Sequence, residues 1–324
     1  MLEISQELKD CLVKASQKIS KKYLHEMVKD KQIIRRMINL RIDKIQQISS
    51  KNAENLVEKY AQKGIVAVDS SIYSTGNSYP HYISIMQAKA RSTNKKENEI
   101  IKAEVYSPLV EDNRNQNGGL SKQEKDEKSR LKKLARLEIK TAHEALKNMT
   151  ASLIMANGPL TRYNDCSGEE WEAFTAKAME TNTIIIGIIE NVNTDETAKR
   201  FKKLIPEQQE NAYDREMLFG VLDKGEYFIL KDWEDEGIKK CFVRMSNNPS
   251  VICVEYLEKQ EEKLLEALSL LLAITPEDGA GIPLWLQIVN SEVCITEKLG
   301  KSLIETYFEP EIRYKMISSK EKKY

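Results

Sequence analysis

Gly64-Ile65-Val66-Ala67-Val68-Asp69-Ser70-Ser71 is the stretch that decides the fold. An apolar, β-branched run closing on a carboxylate and two hydroxyls reads as a buried strand with polar chemistry at its exit. Downstream, His81 to Ala90 and Ile100 to Tyr106 read as further strands, joined by a charged hairpin connection from Ser92 to Glu97. Residues 111 to 119 (EDNRNQNGG) have loop composition. From Ser121 to about Asn148 the spacing predicts a long helix with Leu131, Leu134, Leu137 and Ala142 on its apolar side. A second buried strand, Ala151 to Ala156, runs into the tight turn Asn157-Gly158-Pro159-Leu160, which leaves Asn157 at a strand end.

A helix with Trp171 and Phe174 leads to the most apolar strand, Thr183 to Ile189, and then to a helix beginning near Asp195. Strands alternating with helices in this way imply parallel pairing with helices on the faces. The remaining third reads as a helix containing Asp214, strands at Cys241 to Met245 and Val251 to Glu255, and a helix around Leu264 to Leu272. Beyond Gly281-Ile282-Pro283 a helical end runs to Phe308. Upstream of the deciding strand, residues 1 to 62 lack Pro and Gly and repeat apolar positions such as Leu8, Leu12, Ala15 and Ile19 at helical spacing, which predicts two helices. The expected organisation is a helical N-terminal extension (1–62), one α/β domain (63–308) and a basic C-terminal tail (309–324).

The 324 residues suffice for a sizeable core, and 50 Lys+Arg balance 50 Asp+Glu. A nucleic-acid partner must therefore be met by a local patch. One such excess lies in residues 1–60, with 13 Lys/Arg against 8 Asp/Glu; a solvated helix face and a contact with DNA phosphates both account for it. Mean hydropathy is −0.51, and neither a membrane-length apolar run nor a signal-peptide core is found, so a cytoplasmic protein is expected. Five scattered cysteines without a CxxC pair argue against a disulfide framework or zinc ribbon. With only His25, His81 and His143 available, metal chemistry would rest on carboxylates, which favour Mg²⁺ or Mn²⁺.

Asp69 and Asn157 at strand ends, with Glu138 on the long helix, offer three polar side chains that neighbouring strand exits can bring together. Carboxylates so gathered bind a divalent ion and activate water. A turn-forming or helix-capping Asp is the plainer alternative.

The order of these segments resembles the NurA nuclease family. The carrying residues are Ile65 to Ser71, Arg136-Leu137-Glu138, Leu153 to Leu160, the Ile184 to Ile189 strand with Gly187, Tyr213 to Leu218, Val251 to Glu255, and Gly281-Ile282-Pro283-Leu284 followed by helix. The resemblance implies an RNase H-like mixed sheet with flanking helices, a homodimer, and Mn²⁺-dependent (or Mg²⁺-dependent) cleavage of single-stranded DNA and duplex ends. It further implies work with the hexameric ATPase HerA in DNA break repair. Asp69 and Glu138 match the family's first two metal-binding carboxylates, and the third falls on Asn157.

Three features depart from the family pattern. Asn157 is neutral, no Tyr precedes Pro283, and the late His position falls on Ile288 or Asn290. For Asn157, an engineered Asp-to-Asn change, a substitute charge from Glu190 or Asp214, and a natural pseudo-nuclease that kept the scaffold all stand open. A structural partner that docks on HerA and guides DNA is accordingly the alternative function.

Tyr73 and Tyr79, in the segment just after Asp69, are candidates for stacking on DNA bases, and Arg136 beside Glu138 for holding a phosphate. Gly300-Lys301-Ser302 mimics the end of a phosphate loop, but the upstream Gly would fall at Ile295 and the segment reads as helix. ATP binding on this chain is not expected.

Overall fold

The computed structural model describes residues 5–21, 30–49, 53–76, 79–110, 121–201 and 213–316. The 111–119 loop reading and the end of the basic tail, 317–324, lie outside these residues.

Where two helices are expected before the deciding strand, the described residues there hold three: α1 (Gln6–Lys21), α2 (Lys31–Arg41) and α3 (Ala53–Lys63), with a two-residue strand, β1 (Gln46–Gln47), between the last two. The difference is local. Asp30 starts α2 afresh by accepting the Gln32 and Ile33 N–H groups, and buried Ile48 draws the chain after α2 onto the sheet edge. The long strand is β2 (Ile65–Gly76). It continues past Asp69 because only its first part has a parallel neighbour, whereas its antiparallel pairing continues to Gly76.

The chain continues through β3 (Tyr82–Ser92), β4 (Ile100–Tyr106), α4 (Lys122–Asn148), β5 (Leu153–Asn157), α5 (Thr161–Cys166), α6 (Gly168–Glu180), β6 (Ile184–Ile189) and α7 (Glu196–Phe201). Then follow α8 (Asp214–Met217), β7 (Glu226–Ile229), β8 (Ile238–Val243), β9 (Ile252–Leu257), α9 (Leu264–Ala273), α10 (Leu284–Val293), α11 (Glu297–Tyr307) and α12 (Pro310–Met316). Strand β7, only four residues long and opened by a Glu, gives no alternation long enough to be read from sequence. Leu131 proves exposed, because the buried side of α4 is concentrated between Ala135 and Leu146.

The nine strands form one sheet in the order β1-β7-β8-β9-β6-β5-β2-β3-β4. An antiparallel meander β2-β3-β4 is extended on the side of its first strand by parallel β5 and β6. This is the strand order of an RNase H-like core, carried further by an antiparallel β9-β8-β7 half. Ile65, Ala67, Leu153 and Met155 face α9 and α10, while Val66, Val68, Ile154 and Ala156 face α4 and α6. That two-residue alternation fixes which helix each residue at the strand ends will meet. A third cluster joins Ile34 and Ile38 of α2 to Phe228 and Phe242, so residues of the N-terminal segment are part of the core.

Candidate active site

The parallel ladder between β2 and β5 ends at Val68↔Ala156, and Asp69 and Asn157 are the next residue on each strand. Ligand sites of sheets with parallel strands favour this carboxyl edge. By alternation both side chains lie on the α10 face, and they meet there: Asn157 Nδ2 donates to Asp69 Oδ2 at 3.0 Å. From α10, Asn290 Nδ2 donates to the same oxygen at 2.6 Å, and Oδ1 accepts the Ser70 N–H at 2.7 Å. Asn290, rather than Ile288, therefore faces the cluster. A carboxylate can only accept, so both amides turn their nitrogens toward it. Burial raises Asp69 above the usual carboxylate range, against the opposing pull of these donors and of Arg162.

Glu138 comes from α4, on the opposite face, and is fully buried. Both of its oxygens accept from Arg162 Nη2 at 2.6 Å. Burial pushes the Glu138 carboxyl up to about 7; Arg162 pulls it down, and the negative charge of Asp69 adds to the rise. Arg162 is the second residue of α5 and crosses the strand ends to reach it, donating also to the Asn157 backbone oxygen at 2.7 Å and to the Tyr163 hydroxyl at 3.2 Å. Burial is the largest single effect and works against the guanidinium charge, but Glu138, Tyr163 and Asp69 together hold Arg162 above its ordinary value. With 30 % of its side chain exposed, Arg162 links the buried Glu138 to solvent.

Three supports set α5. Glu255 of β9 accepts the Leu160 and Thr161 N–H groups at 2.7 and 3.2 Å, satisfying amides at the start of the helix. Gly158 turns with φ +113°, and a Cβ there would come 2.9 Å from Arg162 Nη1. At Gly187 of β6 a Cβ would meet the Gly158 carbonyl oxygen at 2.6 Å, so the turn seats closely on the next strand only because side chains are missing at both positions.

A divalent ion held by oxygen ligands needs carboxylates with free lone pairs pointing at one place. Here each oxygen of Asp69 and Glu138 already accepts an N–H, Asn157 presents nitrogen, and the two carboxylates reach the strand ends from opposite faces. Among the described residues no group of three or more His, Cys, Asp or Glu could hold a metal ion. The donor set as arranged does not fit Mn²⁺ or Mg²⁺.

The NurA domain family matches residues 63–295, which include every residue of this cluster. The chain belongs to the NurA domain family. Membership supports a nuclease. No curated protein matches the chain. Among solved structures, endonuclease V of Bacillus subtilis is 12% identical at a TM-score of 0.40, covering 87% of this chain and 95% of its own. Human endonuclease V is 10% identical at a TM-score of 0.39, over 84% and 98%. The C-terminal lobe of a budding yeast Argonaute is 10% identical at 0.32, over 89% and 58%.

The remaining sequence candidates of this NurA-family chain are placed elsewhere. Asp214 does not stand in for the missing charge. Its oxygens accept from the Thr194 hydroxyl and from the N–H groups of Glu196, Thr197 and Ala198, which makes it the cap of α7. Glu190 is exposed just beyond β6 and makes no hydrogen bond to the cluster. Tyr73 lies with its ring against Gly300 of α11, where a Cβ would fall 2.3 Å from a ring carbon. Tyr79 lines an open cavity of about 610 Å³ together with Tyr82, Asp126 and Arg130. Arg136 points away from Glu138 and pairs with Glu170 at 2.8 Å. Gly300, Lys301 and Ser302 sit inside α11. Sequence reading missed Arg162 and Glu255. The signal for Arg162 was present as an Arg four residues after the turn glycine, at the start of a helix that follows the Asn157 strand end.

Proposed function

We propose that this chain is a DNA nuclease of the NurA type. It would cut single-stranded DNA and resect duplex ends, act as a homodimer, and work with the HerA ATPase in break repair. The observation that carries the reading is the family match itself: residues 63–295 contain the strand-end cluster of Asp69, Glu138, Asn157 and Arg162. Within that cluster the chain's own groups have definable capacities. Glu138, with its carboxyl near neutrality, can hold or release a proton, and Arg162 supplies a fixed positive charge at the strand ends. Ser70 holds Asp69 through its backbone, its N–H donating to Oδ1 at 2.7 Å. The metal dependence implied by the family is the part that the present donor set does not meet, and no hydrolytic step through a metal follows from it.

A second reading is favoured by the two amides on Asp69: a NurA-type scaffold that docks on HerA and guides DNA without cutting it. Cleavage of end-labelled single-stranded and duplex DNA in Mn²⁺, with and without HerA, separates the two. The nuclease reading expects cutting by the natural chain. Cutting only after Asn157→Asp marks a scaffold disabled at one ligand, and silence in both proteins refutes the nuclease reading.

A further inference from the structure

The charge at the strand ends is already balanced from within. A centre of three carboxylates and one divalent ion carries a residual charge of minus one; two carboxylates and one guanidinium leave the same residue, counting both as ionised. This chain has the neutral Asn157 at the strand end and holds Arg162 against Glu138. The guanidinium occupies a built place. Gly158 supplies the space that a Cβ would fill 2.9 Å from Nη1, the Asn157 carbonyl accepts from Nη2, and Glu255 fixes the start of α5. Arg162 Nε is buried without a hydrogen-bond partner among the described residues, a cost that Arg162 bears in order to reach Glu138.

We infer that Arg162 is the resident cation of this centre and competes with any divalent ion for the Asp69–Glu138 pair. Asp69 is joined to the same centre through Asn157, whose backbone oxygen accepts from Arg162 at 2.7 Å and whose side-chain amide donates to Asp69 at 3.0 Å. A divalent ion can gain Glu138 only by displacing a guanidinium whose Nη2 lies 2.6 Å from both of its oxygens, and a charge-assisted hydrogen bond is roughly twice as strong as a neutral one. The inference rests on the reading that Asp69 and Glu138 form the acting centre, and it identifies the residue that governs metal access there.

The test is Mn²⁺ binding by the full-length chain, followed by electron paramagnetic resonance of free Mn²⁺, with folding of each variant checked by circular dichroism. Arg162→Gln is expected to bind one Mn²⁺ about tenfold more tightly than the natural chain, roughly the effect of removing one partly screened like charge. Arg162→Lys keeps the charge and should remain close to the natural chain. Adding Asp69→Asn to Arg162→Gln should abolish the gain. Unchanged or weaker Mn²⁺ binding by folded Arg162→Gln overturns the inference. So does tight Mn²⁺ binding by the natural chain that Asp69→Asn removes, a result that needs no Arg162 variant to fold. DNA cleavage measured on the same proteins distinguishes the two proposals: a gain in Mn²⁺ binding without cutting by any variant sinks the nuclease reading alone, and cutting with unchanged Mn²⁺ binding sinks the inference alone.

Discussion

Replacing Arg162 by Met should cost stability in a way that depends on pH, and the dependence can be worked from Glu138. That carboxyl stands at about 7 in the folded chain against an ordinary 4.5. Between those values the folded protein binds more protons than the unfolded chain, so stability falls as pH rises through the window. Below pH 6 Glu138 is already neutral and loses little when its partner goes. Above pH 7 the natural chain ionises Glu138 against Arg162, whereas the variant must keep it protonated inside the core. Each further pH unit then costs the variant about 1.4 kcal/mol relative to the natural chain. If Glu138 stays neutral in the variant, the penalty grows by about 2.7 kcal/mol between pH 6 and pH 9. Urea denaturation of four proteins in EDTA at both pH values reads this directly: the natural chain, Arg162→Met, Glu138→Gln and the double variant. In the Glu138→Gln background the pH-dependent part should vanish. A penalty equal at pH 6 and pH 9, or one that grows equally in the Gln background, would refute the assignment of Arg162 as the counter-charge of Glu138.

Other consequences concern the supports and the outlying candidates. Gly158→Ala forces a Cβ to 2.9 Å from Arg162 Nη1 at φ +113°, and should lower stability by about 1–3 kcal/mol in thermal melts; a neutral effect would mean that the turn is not tightly set. Asp214→Ala removes the cap of α7 and should cost about 1–3 kcal/mol while DNA cleavage by the folded protein persists. Loss of cleavage at unchanged stability would instead make Asp214 part of the chemistry. Tyr79→Ala should weaken binding of a single-stranded oligonucleotide by about 1–3 kcal/mol in fluorescence anisotropy, whereas Tyr73→Ala should show itself in the melting temperature, because that ring packs on Gly300. Equal binding losses in both would place Tyr73 on the DNA path as well.

Much of the fold could be read from period and punctuation. The β4 strand lies where its sequence places it, α4 begins at Ser121 as its spacing predicts, with a reciprocal Glu124 contact that closes the cap, and the strand–turn at Asn157-Gly158-Pro159 ends β5. What escaped reading depends on tertiary partners. Asp69 marks the end of the parallel ladder rather than of the strand, because β3 continues to pair where β5 stops. Short β7 exists only because β8 and β1 flank it. In the cluster, the chain order of Asp69, Glu138 and Asn157 showed which elements would meet, but not that one carboxylate lies on the α10 face and the other arrives from α4. Arg162 and Glu255 were hidden for a related reason. Each is an ordinary charged residue in sequence, and each gains its role from a neighbour 24 or 95 residues away. Asp214 shows the reverse: a carboxylate that sequence offers as a substitute charge for the site proves to be the cap of α7.

In the proposed function, the Asp69 cluster is where this chain acts on DNA. The most direct test is cleavage of an end-labelled single-stranded oligonucleotide in Mn²⁺ by the natural chain and by Asp69→Ala, matched for folding and for DNA binding. Cutting by the natural chain that falls to background in Asp69→Ala is the predicted result. Undiminished cutting by Asp69→Ala would contradict the account and move the active site elsewhere on the molecule.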